Sequence, residues 1–389
     1  MFVSQDNREM PLLLAPWLIA GTIGVATAAA ASPTWQSWQH LPGVFDLAGP
    51  RSDGRLVAAA GGRLFLVSSD GTMTPFAEGS GGYRVASGPE AYIDVSPGLR
   101  VSGAGCSFMP DDVFAIRPTA QLGITRVDAQ GHASNFVNIS GVDSLNGIVF
   151  DRVGRFDHRL IVTGPHNQHT TILAIDCKGG VVTITDGAPP VEGGLAAAPS
   201  TFGSHGGDLI APDENSGAVW TISAAGRAQL LVASEIPHGG DIGVESAGFV
   251  PPGFIAGGGF AYVADRATAN NPHPGTDTIL RMPAGVLGPA GARDGDLLIA
   301  AEGGAVAIDV SCDTSCRART IVPTGTSAHV EGHLVIVANQ PRATASSLPA
   351  VSDLGSQRTQ QLIRVAVTVV VAIGTIWVAV WRIRRLRRR

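Results

Sequence analysis

Acidic and amide side chains recur at one position of a repeated segment. Glu90, Glu192 and Glu245 each open an eight-residue segment that ends in proline, and Asn146 opens a fourth segment that ends in valine. These leading residues are 56, 46 and 53 positions apart. Glu331 leads a later apolar strand in the same way. Carboxylate and amide oxygens are the ligands that calcium prefers in proteins. A fold that gathers these five side chains would therefore create a calcium site.

The residues that follow each leading position predict short strands. Second strands, entered through a polar or glycine turn, lie at 156–163, 206–213 and 258–265. Third strands lie at 172–176, 218–222 and 278–282, and fourth strands at 181–185 and 228–232. Four short strands in every 46 to 56 residues, separated by Gly, Asp and Asn turns, are typical of propeller blades. A β-sandwich also has many short strands, but it does not need this period.

We therefore predict an all-β fold, a six-bladed β-propeller over residues 40–340. Segments 56–60, 62–68 and 72–76 give an N-terminal unit, and segments 297–301, 305–309 and 333–338 supply the last strands. The N-terminal strands are expected to close the ring against the last segment.

A propeller would bring the leading residues together, because the first strand of each blade lines the central channel. Bare carboxylates at one channel mouth repel each other, at about 1–4 kcal/mol for each like pair. A divalent cation removes this repulsion. Magnesium needs a tighter octahedron and zinc prefers nitrogen or sulfur, so calcium is the predicted ion. The alternative is that these acids begin strands at a solvated rim and hydrogen-bond to neighbouring loops. Gly43, at the matching place in the N-terminal unit, offers no side chain.

Two of these strands resemble those of a known superfamily. Residues 89–97 and 145–151 are similar to the calcium-ring strands of six-bladed propellers of the gluconolactonase, paraoxonase and strictosidine-synthase type (calcium-dependent phosphotriesterases). The resemblance implies that Glu90 is the family's glutamate, that Asn146 is its Asn-Gly-Ile asparagine, and that calcium polarises an ester carbonyl. At the positions of Glu192, Glu245 and Glu331 the family usually has Asn or Asp. This ring is therefore more acidic, and an over-neutralised ion is a weaker Lewis acid.

A lactonase or esterase also needs a base that activates water. The candidates are His238, seven positions before Glu245, and His329, two positions before Glu331. His333 lies two positions after Glu331. The alternative is that each histidine has a surface or structural role. No Gly-x-Ser-x-Gly elbow occurs in a strand–turn–helix context, and no glycine-rich loop precedes a helix, so serine-hydrolase chemistry and nucleotide binding are disfavoured.

The charge distribution argues against nucleic-acid binding. The chain has 27 basic and 32 acidic residues. Eight of the basic and two of the acidic residues lie in the terminal regions, which leaves the middle with 19 basic and 30 acidic residues. A net charge of −11 over this middle does not suit a phosphate backbone. It suits a domain that binds cations or neutral ligands.

Both ends of the chain have the composition of membrane-directed segments. Residues 1–31 are predicted to be a signal peptide, because their apolar stretch ends in small residues. The alternative is an uncleaved anchor, because the segment lacks the positive N-terminal cluster of a signal peptide. Residues 362–381 are predicted to form one transmembrane helix, after a stalk at 341–361. The arginine-rich tail, 382–389, places the C-terminus in the cytoplasm and the propeller outside the cell membrane.

The cysteines agree with export from the cytoplasm. Cys312 and Cys316 are spaced to close a small disulfide loop, and Cys106 with Cys177 would complete an even count of four. The alternative is a cysteine-only zinc site, but no second pair has matching spacing.

Two function classes remain. The first is a membrane-anchored, calcium-dependent hydrolase of the lactonase or esterase type that acts on a small neutral ligand. The second is a non-catalytic surface propeller that binds or senses a sugar, a peptide or a protein partner. A propeller fold does not choose between them.

Overall fold

The computed structural model describes residues 33–84, 91–118, 121–323 and 325–339. Glu90 lies outside these residues, and so do the predicted signal peptide, stalk, transmembrane helix and tail. Within the described part of the chain, no helix is both long enough and apolar enough to cross a membrane.

Strands account for nearly all of the regular structure. The first eleven are β1 (Gln36–His40), β2 (Val44–Ala48), β3 (Leu56–Ala60), β4 (Arg63–Val67), β5 (Met73–Phe76), β6 (Ile93–Val95), β7 (Arg100–Val101), β8 (Cys106–Ser107), β9 (Val113–Arg117), β10 (Gly123–Val127) and β11 (Ala133–Asn138). The next eight are β12 (Gly147–Phe150), β13 (Leu160–His166), β14 (His169–Ile175), β15 (Val181–Ala188), β16 (Ala196–Ala197), β17 (Leu209–Asp213), β18 (Ala218–Ile222) and β19 (Ala228–Ala233). The last seven are β20 (Val244–Phe249), β21 (Gly259–Asp265), β22 (Thr278–Pro283), β23 (Leu297–Ala301), β24 (Ala307–Cys312), β25 (Cys316–Val322) and β26 (Val330–Ala338).

Three short helical segments join these strands. They are a 3₁₀ turn at Gly203–His205, α1 at Phe254–Gly257 and α2 at Ala284–Ala290.

Six four-stranded antiparallel sheets form the blades of a propeller. From the channel outward, blades 1 to 6 are β2-β3-β4-β5, β6-β9-β10-β11, β12-β13-β14-β15, β16-β17-β18-β19, β20-β23-β24-β25 and β26-β21-β22-β1. The innermost strands β2, β6, β12, β16, β20 and β26 contact one another in ring order. The predicted six-bladed β-propeller is therefore confirmed.

The core is divided into six apolar clusters, one between each pair of neighbouring blades. Inner and second strands are packed on both faces, so β3, β17 and β23 are buried at every residue. Fourth strands lie at the rim, and most of β15 is exposed or half-buried. This explains why the second strands are continuous apolar runs in the sequence.

Buried aspartates join the inner strands of neighbouring blades. Asp46 of blade 1 accepts hydrogen bonds from the backbone N–H groups of Ile93 in blade 2 and His333 in blade 6, both at 2.7 Å. Asp94 of blade 2 accepts one from the N–H of Phe150 in blade 3, also at 2.7 Å. Hydrogen bonds to ionised acceptors are stronger than neutral ones. These contacts keep the channel walls in register.

Blades 5 and 6 exchange strands, which corrects one prediction. Segments 258–265 and 278–282 were expected to complete the unit led by Glu245. Instead β20, which contains Glu245, pairs with β23, and the two segments form β21 and β22 of blade 6. The expected and the observed pairings have the same order of strands along the chain. The apolar content of a second strand does not decide which inner strand it pairs with. The two blades are consequently interlocked.

The predicted ring closure is confirmed. Strand β1 pairs with β22 and forms the outer strand of blade 6, so the two ends of the propeller share one sheet. Trp38 anchors β1: its ring lies 5.0 Å from that of Tyr262, and the Arg281 guanidinium lies 5.1 Å above it.

Both predicted disulfides are present. Cys106–Cys177 connects β8, which pairs with β7 in a hairpin between β6 and β9 of blade 2, to the turn after β14 in blade 3. Cys312–Cys316 closes the hairpin between β24 and β25.

We expect Trp38→Ala to lower the free energy of unfolding by roughly 2 kcal/mol, because a half-buried aromatic ring is lost from the closing strand. Urea denaturation of the full-length chain measures this change. Gln36→Ala, at an exposed position of the same strand, is the control and should change stability by less than about 0.5 kcal/mol. Equal effects of the two substitutions would show that Trp38 does not hold the closure.

Candidate metal centre

The inner strands of blades 3 to 6 bring four of the predicted residues to one mouth of the channel. The amide Nδ2 of Asn146 lies 3.4 Å from the Oε2 of Glu192. Glu245 contributes a carboxylate oxygen to a group, formed with Glu192 and one further glutamate, whose ligand atoms all lie within 4.8 Å of one another. Glu331 belongs to a second such group. The fifth predicted residue, Glu90, is outside the described residues.

Two glutamates that the sequence analysis missed complete these groups. Glu214 joins Glu192 and Glu245, and Glu302 joins Glu331 and His329. Both come directly after the second strand of a blade, Glu214 after β17 and Glu302 after β23. Because that strand runs antiparallel to the inner strand, its C-terminal end lies at the same mouth. A charged residue directly after a second strand was the signal that could have identified them, and Arg266 follows β21 in the same way.

The Glu245 carboxylate is buried and only partly hydrogen-bonded. Glu245 is 2 % exposed, and its Oε1 accepts a hydrogen bond from the Tyr92 hydroxyl at 3.1 Å. Its Oε2 has no hydrogen-bond partner among the described residues. Gly193 lies directly against this carboxylate, where any β-carbon would overlap it. The backbone there has a φ of +80°, which also favours glycine.

Crowding of these acids opposes their ionisation. Burial and the nearby charges of Glu331 and Glu302 raise the pKa of Glu245 well above its usual value. Burial and a hydrogen bond with Glu302 raise the pKa of Glu214 to about 8, and burial also raises the pKa of Glu302. Without a cation, burial and mutual repulsion therefore favour the protonated forms of these carboxyl groups.

The blade 5–6 half of the mouth contains its own cations. The Nε2 of His329 lies 3.1 Å from Glu302 and 3.3 Å from Glu331. The Nη1 of Arg266 donates to Glu331 at 3.0 Å. Burial opposes the charge on His329, but the two carboxylates outweigh it and raise its pKa to about 9. As an imidazolium, His329 donates the hydrogen of its Nε2 to a hydrogen bond with the glutamates and is poorly suited to accept a proton from water.

The other half of the mouth differs in its ion pairs. Among the described residues, no arginine, lysine or histidine forms an ion pair with Glu214 or Glu245. His238, the other predicted base, is exposed, and its Nδ1 lies 3.1 Å from the carbonyl oxygen of Ile236. It belongs to neither glutamate group.

The donor set of Glu192, Glu214 and Glu245 fits a divalent cation. It offers only carboxylate oxygens, the ligands of a hard ion such as calcium, and the Oε2 of Glu245 is buried with no hydrogen-bond partner in the described part of the chain. Asn146 is oriented differently from a ligand: its Oδ1 accepts a hydrogen bond from Thr163, and its Nδ2 faces Glu192. In this geometry Asn146 orients Glu192.

A cavity of about 190 Å³ opens beside this half of the mouth, between blades 3 and 4. Its lining includes Asn146, Glu192 and Glu214, together with His169 and Asn215. Neither ring nitrogen of His169 hydrogen-bonds to a described residue. Glu192 and Glu214 can therefore be reached by a small molecule from this side, whereas Glu245 is buried behind them.

Below the glutamates, His333 crosses the channel. Its Nδ1 lies 3.0 Å from Asp46 in blade 1, and its Nε2 lies 2.7 Å from the carbonyl oxygen of Ile148 in blade 3. Both ring nitrogens face acceptors, so both must donate and the ring is an imidazolium. Burial opposes this charge, but Asp46 more than offsets it and raises the pKa of His333 to about 9. Gly332 permits the contact, because a β-carbon there would overlap Asp46.

No family model and no curated protein matches this chain. Among solved structures it is similar to a gluconolactonase from Xanthomonas campestris, with 13 % identity and a TM-score of 0.43 over 81 % of this chain and 96 % of that one. It is also similar to virginiamycin B lyase from Staphylococcus aureus (14 %, 0.41, over 76 % and 91 %) and to a streptogramin B lyase (10 %, 0.41, over 74 % and 72 %). Because these similarities are weak, the evidence for the propeller is the six-sheet topology itself.

The charge of His333 predicts a dependence of stability on pH. Its folded-state pKa of about 9 lies above the unfolded value of 6.5, so its stabilisation is complete below pH 6.5 and is lost as the pH rises through about 9. We expect the difference in unfolding free energy between the wild type and His333→Gln to shrink by on the order of 3 kcal/mol from pH 6 to pH 10. Urea denaturation across this range measures it. A difference that does not change with pH would mean that the ring is neutral.

Proposed function

We propose that the protein binds one calcium ion at Glu192, Glu214 and Glu245 and is a hydrolase of the lactonase or esterase type for a small neutral substrate. The observation that carries the proposal is the buried Oε2 of Glu245, which has no hydrogen-bond partner among the described residues although other carboxylates surround it. A carboxylate oxygen that is buried and unpaired costs several kcal/mol unless a proton or a cation compensates it. A cation compensates all three glutamates at once.

Calcium suits this set better than other common ions. Three carboxylates leave room for the six to eight oxygen ligands that calcium accepts, with water and substrate at the remaining positions. Zinc would favour the group that contains His329, but the Nε2 of that ring already faces both Glu302 and Glu331. We therefore assign His329 and Arg266 to the charge balance of Glu302 and Glu331, away from the metal.

A calcium ion bound here would polarise the carbonyl group of an ester in the adjoining cavity. Asn146 and Asn215 line that cavity and supply neutral hydrogen-bonding groups that can orient a substrate. His169 lines it as well, and its ring nitrogens are unpaired within the described structure. We assign to His169, in place of His238 and His329, the removal of a proton from the attacking water.

The runner-up is a non-catalytic calcium propeller that binds a sugar, a peptide or a protein at the surface. The acidity of the mouth favours it, because three carboxylates exceed the charge of the ion and weaken it as a Lewis acid. The two proposals share the calcium site and differ only in turnover.

We further propose that the propeller lies outside the cell membrane and is held there by the C-terminal helix. The arginine-rich tail after an apolar segment supports this orientation. The two disulfides support a compartment that is not reducing.

The calcium site is tested on the full-length chain by metal analysis and thermal unfolding. We expect about one calcium per chain and a melting temperature that falls on chelation. A calcium concentration of 100 times Kd stabilises the folded state by about 2.7 kcal/mol, and the chelator removes this stabilisation. Glu245→Gln should weaken calcium binding at least tenfold, which is about 1.4 kcal/mol. Glu78→Gln, which alters an exposed pair with Arg63, is the matched control. A wild type without calcium, or equal affinities for the wild type and Glu245→Gln, would contradict the site.

The catalytic assignment is tested with a panel of lactones and esters. If the protein is a hydrolase, His169→Gln should lower kcat by about 10²–10⁴ and leave calcium affinity unchanged. His238→Gln is the control, since this exposed ring lies outside both glutamate groups. Full activity of His169→Gln would remove His169 from the mechanism, and calcium binding without any turnover would favour the binding propeller.

A further inference from the structure

We infer that the channel end opposite the glutamates is a second binding site, for a small neutral molecule with an apolar body and one hydrogen-bond acceptor. A cavity of about 280 Å³ occupies this end and is lined by residues from all six inner strands or the turns after them. Its volume is close to the lower limit, about 300 Å³, of pockets that bind small molecules.

This cavity is separate from the metal centre. His333 forms its floor, where the ring spans the channel between Asp46 and the carbonyl oxygen of Ile148. None of the glutamates at the other mouth lines it. The inference therefore does not depend on the proposed function.

Apolar groups dominate the wall. Among the lining residues, Phe249 of blade 5 and Ile336 of blade 6 are half-buried and present apolar surface, and Leu47, Phe150 and Leu195 lie behind the wall in the clusters between blades. Blade 4 has alanine at two consecutive lining positions, Ala196 and Ala197. Larger side chains at these positions would narrow the channel. A short aliphatic chain is a suitable body for such a space, because burying it releases water from apolar surface.

One guanidinium provides a polar contact at the rim. The Nη2 of Arg152 donates to the Oδ1 of Asp94 at 3.1 Å and to the carbonyl oxygen of Val95 at 3.0 Å. No described residue accepts a hydrogen bond from its Nε or Nη1. These two groups can hold the acceptor of a ligand while Nη2 keeps the guanidinium in place.

Charge balance selects a neutral ligand. Arg152 is paired with Asp94, and His333 is paired with Asp46, so the charged groups around the cavity cancel. A carboxylate would add an uncompensated charge to a partly buried space, whereas a ketone or ester oxygen would not. A ketone should therefore bind more tightly than the carboxylate of the same length.

The test uses 2-octanone and octanoate as probes, with the full-length protein in the presence of a calcium chelator. Saturation-transfer NMR and a titration should give one 2-octanone site per chain, with a dissociation constant below about 1 mM. The dissociation constant of octanoate should be at least tenfold higher. Because calcium is absent, failure of this inference cannot be confused with failure of the metal site.

Two variants locate the site. Ala197→Leu, at a half-exposed lining position, should abolish 2-octanone binding by filling the cavity. Arg152→Lys keeps the charge beside Asp94 but removes the guanidinium donors, and it should weaken binding at least fivefold even if Ala197→Leu fails to fold. Arg155→Gln, three residues away and exposed, should bind as the wild type does.

Three results would overturn the inference. They are the absence of 2-octanone binding up to its solubility limit, binding that neither Ala197→Leu nor Arg152→Lys weakens, and octanoate binding as tight as that of the ketone. The first excludes the site, the second places the ligand elsewhere on the protein, and the third contradicts the charge balance.

Discussion

Carboxylates that a rigid scaffold holds a few ångströms apart can relieve their repulsion only with protons or with cations. Five glutamates are in this position at one mouth of the propeller: Glu192, Glu214, Glu245, Glu302 and Glu331. The charges of these glutamates are compensated differently on the two sides of the mouth. On the side of blades 5 and 6, His329 and Arg266 supply fixed positive charge. On the side of blades 4 and 5, no arginine, lysine or histidine of the described residues pairs with Glu214 or Glu245, and this asymmetry supports the proposed metal site.

The glutamates cannot move apart, because the ring that carries them is closed in several ways. Strand β1 completes the outer edge of blade 6, and the exchange of strands interlocks blades 5 and 6. Asp46 ties the inner strands of blades 1, 2 and 6 together through buried hydrogen bonds. Opening the mouth would break these contacts together. The channel wall therefore maintains an arrangement that the side chains alone would not adopt.

The repeat in the sequence predicted the propeller, the ring closure and the gathering of Glu192, Glu245 and Glu331, since one position of a repeated strand must recur at one place in a ring. Glu214 and Glu302 could not be found from the leading positions, because they follow second strands and reach the mouth only through antiparallel pairing. The strand exchange between blades 5 and 6 could not be predicted from the sequence either, because either pairing of these strands leaves their order along the chain unchanged. The roles of His329 and His333 depend on which acceptors surround their rings, and this is set by tertiary structure.

The central claim is that one calcium ion lies among Glu192, Glu214 and Glu245. The most direct measurement is an anomalous difference map from crystals of the protein grown with calcium, recorded at a long X-ray wavelength. We expect one peak at the mouth, about 2.3–2.6 Å from oxygens of these three glutamates, with the Oε2 of Glu245 among them. A map with no peak at the mouth, or with its only peak between Glu302 and Glu331, would contradict it.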